Sequence, residues 1–327
     1  MNRNLYRTAV PAVLVALTLA ACGGSNEEGG GTDPGATTDT EGVTTLSGEV
    51  LVDGSSTVQP LTAAAGELFK MENPDVNVSV ATSGTGGGFE VFCQGETDIS
   101  NASRPIKDEE AAACAEAGIE FTELRVATDA LTVVASIEND FLQCLTTDEL
   151  ATLWGPDAEG AVTTWDQVNP EFPAEAIELY GPGTDSGTFD YFTDEINGAE
   201  GASRTDYNAS EDDNVLVQGV QGSPYATGYF GFTYYEENAS TLKAIEIDSG
   251  EGCVAPSADT AADGTYTPLA RPLFIYVNNA SFAQKPVVAE FVRFYAANDG
   301  EIALAAQYIP LDETAASELV AAVEGIG

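Results

Sequence analysis

The sequence predicts an α/β protein with largely parallel sheets, folded as two lobes. Three observations carry that expectation. Strand and helix signals alternate along the chain with no internal repeat. A strand runs through a Gly/Ser/Thr-rich turn into a helix three times over. The chain, at 327 residues, is also long enough for two lobes of ordinary domain size.

The first segment sets the compartment. Arg3 and Arg7 give a positive start, and Val10 to Ala21 form an apolar run too short to span a bilayer by itself. The run ends in Leu19-Ala20-Ala21-Cys22, with small residues before the cleavage point, so residues 1–21 read as a signal peptide. Cys22 directly after Leu-Ala-Ala resembles the bacterial lipobox, whose thiol is acylated. Cys22 is therefore the expected lipid anchor, and the outer face of the cytoplasmic membrane the expected location. Residues 22–45 are rich in Gly, Ser, Thr, Asp and Glu and cannot bury a core, which makes them a flexible linker. Nothing later in the chain is long and apolar enough for a membrane helix.

The three strand–turn–helix units follow in order. Val50 to Val52 is a short apolar strand entering Asp53-Gly54-Ser55-Ser56-Thr57, after which Leu61, Ala64, Ala65 and Leu68 fall at helical spacing. Val76, Val78 and Val80 alternate with polar residues, as a strand requires. They lead into Ser83-Gly84-Thr85-Gly86-Gly87-Gly88, and Phe89, Phe92 and Cys93 start the next helical face. Ile177 and Leu179 mark the third strand. It enters Gly181-Pro182-Gly183-Thr184-Asp185-Ser186-Gly187-Thr188, and Phe189, Phe192 and Ile196 line one side of a helix. Two further apolar strands, Leu131 to Ala135 and Leu273 to Val277, are candidates for the connections between lobes. Helices around Val287 to Tyr295 and Ile302 to Tyr308 would return to the first lobe. The expected division is thus 46–130 and 273–327 for one lobe and 131–272 for the other.

Composition excludes several kinds of chemistry. The chain has no histidine, which removes Ser-His and Cys-His nucleophile pairs, His general bases and most transition-metal sites. No metal and no cofactor is expected. Acidic residues number 53 against 11 basic, and Arg3 and Arg7 leave with the signal, so the mature chain carries −44. That charge disfavours nucleic acid and anionic lipid as partners and reads as a solvated acidic surface. Four cysteines remain after the anchor, none at CxxC spacing, and in an oxidising compartment two disulfides are the default. Of three connectivities, Cys93–Cys114 with Cys144–Cys253 is favoured, the first closing a short local loop.

The turns carry the chemistry. A strand that ends in a helix start presents unpaired backbone N–H groups, and the helix dipole adds about half a positive charge there. Glycine lets an anion reach the backbone, and Ser or Thr adds a hydroxyl donor. Each turn alone is weak evidence: Thr57 could simply cap its helix. Three together suggest an oxyanion site with few formal charges. Among the scarce arginines (Arg104, Arg125, Arg204, Arg271 and Arg293 after signal removal), Arg104 follows closely on the Gly-rich turn. Its guanidinium could hold a tetrahedral oxyanion through two parallel bonds, or pair with one of the many carboxylates.

Asp53-Gly54-Ser55-Ser56-Thr57-Val58, Ser83 to Gly88, Ala102-Ser103-Arg104-Pro105-Ile106-Lys107 and Thr184-Asp185-Ser186-Gly187-Thr188-Phe189 together resemble the phosphate-binding protein of the high-affinity phosphate ABC transporter. The resemblance covers Leu46 to Gly327 and includes Gly228-Tyr229-Phe230-Gly231-Phe232. It implies a two-lobed periplasmic-binding-protein fold (type II) whose lobes close over phosphate, and transporter permease subunits as partners of a monomer. Thr57, Val58 through its backbone, Thr85, Ser103, Ser186, Gly187 and Thr188 match the family's phosphate-contacting positions, and Ser56 adds a neighbouring hydroxyl. The chain departs from the family twice. Pro182 stands where many members have an arginine before Ser-Gly-Thr, and Arg104 stands where many have an aspartate. Arg104 is accordingly expected to supply the positive charge, and Asp185 or Asp53 the carboxylate that accepts the phosphate proton.

Other readings fare worse. Asp185-Ser186-Gly187-Thr188 looks like half of an aspartic protease site, but that chemistry needs a second such segment and there is none. A phosphatase would need a His or metal cluster to activate water. The nearer alternatives are a binding protein for sulfate, molybdate or a phosphonate, and a surface adhesion or sensor protein reusing the fold.

Overall fold

The computed structural model describes residues 46–184 and 186–326. The signal peptide, the linker with Cys22, and Asp185 lie outside the described residues.

The chain begins β1 (Gly48–Gly54), α1 (Gln59–Glu72), β2 (Val76–Val80), α2 (Gly84–Phe92), β3 (Ile99–Ala102) and α3 (Asp108–Glu116). β1 lies between β2 and β3 and is parallel to both. The long strand β4 (Phe121–Ser136) leads to β5 (Cys144–Thr146), α4 (Thr147–Trp154), β6 (Glu178–Gly181), α5 (Gly187–Asn197), β7 (Asn208–Ala209) and α6 (Asp213–Gln221). After β8 (Ala226–Gly231) and α7 (Phe232–Asn238) come β9 (Leu242–Ala244), β10 (Glu246–Asp248), β11 (Cys253–Val254) and α8 (Ala258–Ala262). A second long strand, β12 (Ala270–Asn278), returns to α9 (Asn279–Gln284), α10 (Pro286–Ala297), α11 (Asp299–Ala305) and α12 (Glu313–Glu324).

The main sheet runs β2-β1-β3-β12-β4-β8-β6-β7, with β9 also on β4. It is mixed rather than largely parallel. The antiparallel pairs are β12 with β3 and β4, and β4 with β8 and β9. The reason lies in β4 and β12. One carries the chain from the first core to the second and the other carries it back, so side by side they must oppose. β4 changes cores within four residues: Ala127 packs with Val50, Val52, Leu61 and Phe291, and Leu131 with Leu153, Trp154, Phe192 and Tyr229. The chain makes the reverse change between Leu269, just before β12, and Leu273 within it. Aromatic packing anchors the second core, where Phe192 stacks on Tyr229 at 3.8 Å and Trp154 meets Tyr229 edge-on at 4.8 Å.

One expected turn is a helix instead. The glycines after Ser83 form the first turns of α2, and the helical face begins before Phe89. A Cβ on Gly88 would lie 2.4 Å from the Gly54 Cα, so α2 can approach β1 only where it carries no side chain. Both disulfides have the favoured pairing. Cys93–Cys114 joins α2 to α3, and Cys144–Cys253 ties β5 to β11 across a separate sheet in which β10 lies between them.

Candidate functional site

The strand ends and helix starts converge. A cavity of about 460 Å³ is lined by Ser55, Ser56 and Thr57 from the β1–α1 turn, and by Gly84, Thr85 and Gly86 from the start of α2. Ser103, Arg104 and Pro105 follow from the exit of β3, Gly187 and Tyr191 from α5, and Arg271 and Pro272 from β12. Neither α1 nor α2 has a side-chain cap, so their leading N–H groups are left without a side-chain acceptor. Thr85 Oγ1 lies 3.1 Å from Ser103 Oγ and accepts from the Ser103 N–H at 3.2 Å, which locks the start of α2 to the exit of β3. The two sides of the cleft are close at α5, where a Cβ on Gly187 would sit 3.3 Å from Thr57 Oγ1.

Of the residues singled out in the sequence, Ser56, Thr57, Thr85, Ser103, Arg104 and Gly187 share this cavity. Val58 is fully buried, with its side chain in the first core, at the N-cap of α1. The Ser186 hydroxyl caps its own helix, accepting from the Thr188 N–H at 3.2 Å. Thr188 opens on a smaller cavity of about 120 Å³ with Asp129 and Tyr308. Asp53 Oδ1 accepts from the Gly54 and Ser83 N–H groups at 2.7 and 2.9 Å and so braces two turns.

Arg104 reaches the cavity, but its guanidinium is committed. Nη1 and Nη2 donate to Glu110 Oε2 and Oε1 at 2.9 and 2.8 Å, and Nη1 also donates to the Pro105 carbonyl. Glu110 in turn accepts from the Lys107 N–H at 2.8 Å as part of a capping box on α3. Burial pushes the Glu110 carboxyl up, yet the bonds from Arg104 and from the Lys107 N–H outweigh it and hold the group below its ordinary range. Arg104 thus pairs with a carboxylate while it lines the cavity.

The arginine that the sequence reading passed over is Arg271. Its Nε donates to Asp129 Oδ2 at 3.2 Å, its Nη2 to Thr57 Oγ1 at 3.1 Å, and its plane lies 3.6 Å over the Tyr191 ring. A charged residue inside the apolar stretch Leu269 to Val277 was the available signal. Carboxylates face the same cavity: Asp190, Asp194, Glu195 and Glu200. Burial raises Asp190, with Glu200 adding to it, and burial raises Glu195, with Asp194 adding; Arg271 opposes both shifts.

Asp213, at the start of α6, lines the smaller cavity. Burial, then Asp212 and Glu211, push its carboxyl up to about 6. A carboxyl raised on folding stabilises the fold below its unfolded value and loses that contribution as pH climbs through the folded one. The wild type should therefore lose about 1–3 kcal/mol relative to Asp213→Asn between roughly pH 4 and 6. Denaturant unfolding at both pH values checks this, and equal curves would contradict it.

A family model described as the PBP superfamily domain matches residues 39–299. The chain belongs to that superfamily. The PBP fold accounts for the two cores joined by β4 and β12, with the cavity at their junction. The chain is 46% identical over 312 residues to protein SphX of Synechocystis, covering 95% of this chain and 87% of that one. It is 39% identical over 302 residues to the phosphate-binding protein PstS of Staphylococcus saprophyticus, covering 92% and 88%. Among solved structures, a possible phosphate binding protein from Planctomyces limnophilus superposes with a TM-score of 0.81 at 44% identity, over 85% of this chain and 98% of that one.

Proposed function

We propose that this chain captures inorganic phosphate outside the cytoplasm and delivers it to the membrane subunits of an ABC importer. The observation that carries the reading is the convergence of three donor segments, at Thr57, at Thr85 with Ser103, and at Gly187, on one cavity between two cores. Helix starts and hydroxyls of that kind suit a small oxyanion. The relative named as the phosphate-binding protein PstS, and the similar structure of a possible phosphate binding protein, favour phosphate over sulfate or molybdate.

The proposed contacts are Ser56, Thr57, the Val58 backbone, Thr85, Ser103, Ser186, Gly187 and Thr188, with Arg104 adding positive potential from the cavity wall. The proposed lobes are 46–130 with 273–327, and 131–272, supported by the change of core partners along β4 and β12. Cleavage before Cys22 and acylation there would hold the protein at the membrane surface. Among the described residues no helix is long and apolar enough to cross a membrane.

Phosphate near neutral pH keeps a proton and sulfate has none. A carboxylate in the site can accept that proton, and Asp185, next to Ser186, is the proposed acceptor. Sites built around such a donor reject analogues lacking it by about 10⁴ or more. Retention of labelled phosphate by the stripped protein should thus fall with unlabelled arsenate and persist with sulfate or molybdate. Asp185→Asn should let sulfate compete, and scattering should show a smaller radius of gyration with phosphate. Displacement by sulfate in the wild type would sink the phosphate reading.

A further inference from the structure

We propose that Arg271 is the cationic side chain that contacts the bound anion, with Asp129 and Tyr191 as positioning residues; the proposal rests on the reading of the cleft as a phosphate site. It begins with a count of charge. All nine basic side chains that follow residue 45 are described: Lys70, Arg104, Lys107, Arg125, Arg204, Lys243, Arg271, Lys285 and Arg293. Of these, only Arg104 and Arg271 line the cleft cavity. Arg104 spends both Nη groups on Glu110. Its partner is fixed from the other side by α3, so Glu110 balances its charge and three of its five N–H donors are already in use.

Arg271 is held differently. It sits opposite Asp129 in the β12–β4 register, and the pair uses the Nε side of the guanidinium through one bond. Asp129 is only 5% exposed, so this anchor is screened from water. Tyr191 covers one face of the plane, and its hydroxyl is tied to the Pro268 carbonyl at 2.6 Å. Stacking covers the face and leaves the in-plane donors free to aim. Nη2 points at the hydroxyl of Thr57, a residue of the first donor turn. Among the described residues Nη1 has no hydrogen-bond partner. The Tyr308 hydroxyl donates to the Thr57 carbonyl at 2.8 Å and fixes the turn that Nη2 addresses.

The location matters as much as the bonds. Arg271 rises from a strand that joins the two cores, touches Thr57 beside the first, and stacks on Tyr191 in the second. An anion bound there meets the donor turns and the guanidinium together. It also meets Asp190, Asp194, Glu195 and Glu200 on the same wall. Without a cation among these carboxylates, an entering phosphate would face repulsion that neutral donors alone must overcome.

The test is calorimetric titration of the phosphate-stripped mature protein and its variants, with a thermal melt of each without ligand. Arg271→Met should weaken phosphate binding by about 10–150-fold, the range for a charged hydrogen bond, and Arg104→Met by less. Arg271→Lys, which keeps charge but loses the fork, should bind more tightly than Arg271→Gln. Tyr191→Phe keeps the ring and should bind like the wild type, whereas Tyr191→Leu should weaken binding. Asp129→Asn should weaken it as well. Arg271→Met within about twofold of the wild type, or a larger loss at Arg104→Met, would overturn the proposal. If Arg271→Met does not melt cooperatively, the Lys and Gln variants decide, and equal affinities overturn it. If the wild type takes sulfate or molybdate but not phosphate, the phosphate reading fails and the same comparisons are read on that anion. If it takes no oxyanion, both fall.

Discussion

Gly54→Ala should destabilise the chain by several kcal/mol and abolish phosphate binding with it. Gly54 ends β1 at φ +135°, where an L side chain is strained, at a cost of about 1–3 kcal/mol. Its Cβ would lie 2.1 Å from the Asn101 carbonyl oxygen on β3, and relieving such a clash costs about 1–3 kcal/mol more. The neighbour is no softer. A Cβ on Gly88 would sit 2.4 Å from the Gly54 Cα and 3.0 Å from Ser100 Oγ. β1 and α2 therefore meet through the backbones of Gly54 and Gly88, with Ser100 of β3 beside them, and the segments that carry Ser56, Thr85 and Ser103 leave from that junction. A methyl group there wedges them apart. Gly88→Ala should show the same paired loss. Denaturant unfolding and a phosphate titration on each variant check it; a variant within about 0.5 kcal/mol of the wild type and still binding would contradict it.

Removing the Cys144–Cys253 bond should cost about 2–5 kcal/mol while leaving phosphate affinity intact below the new melting temperature. The bond spans 109 residues of sequence and ties β5 to β11, the outer strands of the three-stranded sheet. Opening it frees a long loop in the unfolded chain, which is where most of the cost arises in the chain-entropy account. The sheet contributes no residue to the cleft cavity. A Cys144→Ser, Cys253→Ser double variant separates the two effects. Weakened phosphate binding in its still-folded state would mean that the sheet positions the site after all.

Much of this architecture is written locally in the sequence. Each donor turn is contiguous, each follows apolar residues at strand spacing, and each precedes apolar residues at helical spacing, so the turns that carry Thr57, Thr85 and Gly187 are legible in the sequence. The Gly-rich run was ambiguous, because glycine marks a loose turn and a close helix approach alike; only the contact of Gly88 with Gly54 decides. The proposed role of Arg271 was illegible for a different reason. Arg104 lies close in sequence to a turn and lines the cavity, but its pairing with Glu110, six residues later, is not legible from that closeness. Arg271 lies 214 residues from Thr57, and nothing local links them. The antiparallel pairing of β4 with β12 was hidden likewise, since strand direction in a sheet follows from where the chain must return rather than from the strand itself.

Three donor segments at a junction between two cores are proposed to make a phosphate site. Calorimetric titration of the mature, phosphate-stripped protein with inorganic phosphate tests it most directly. Saturable binding of one phosphate per chain is expected, micromolar or tighter, about −8 kcal/mol or more favourable. Absence of heat, with no thermal stabilisation at millimolar phosphate, would contradict it.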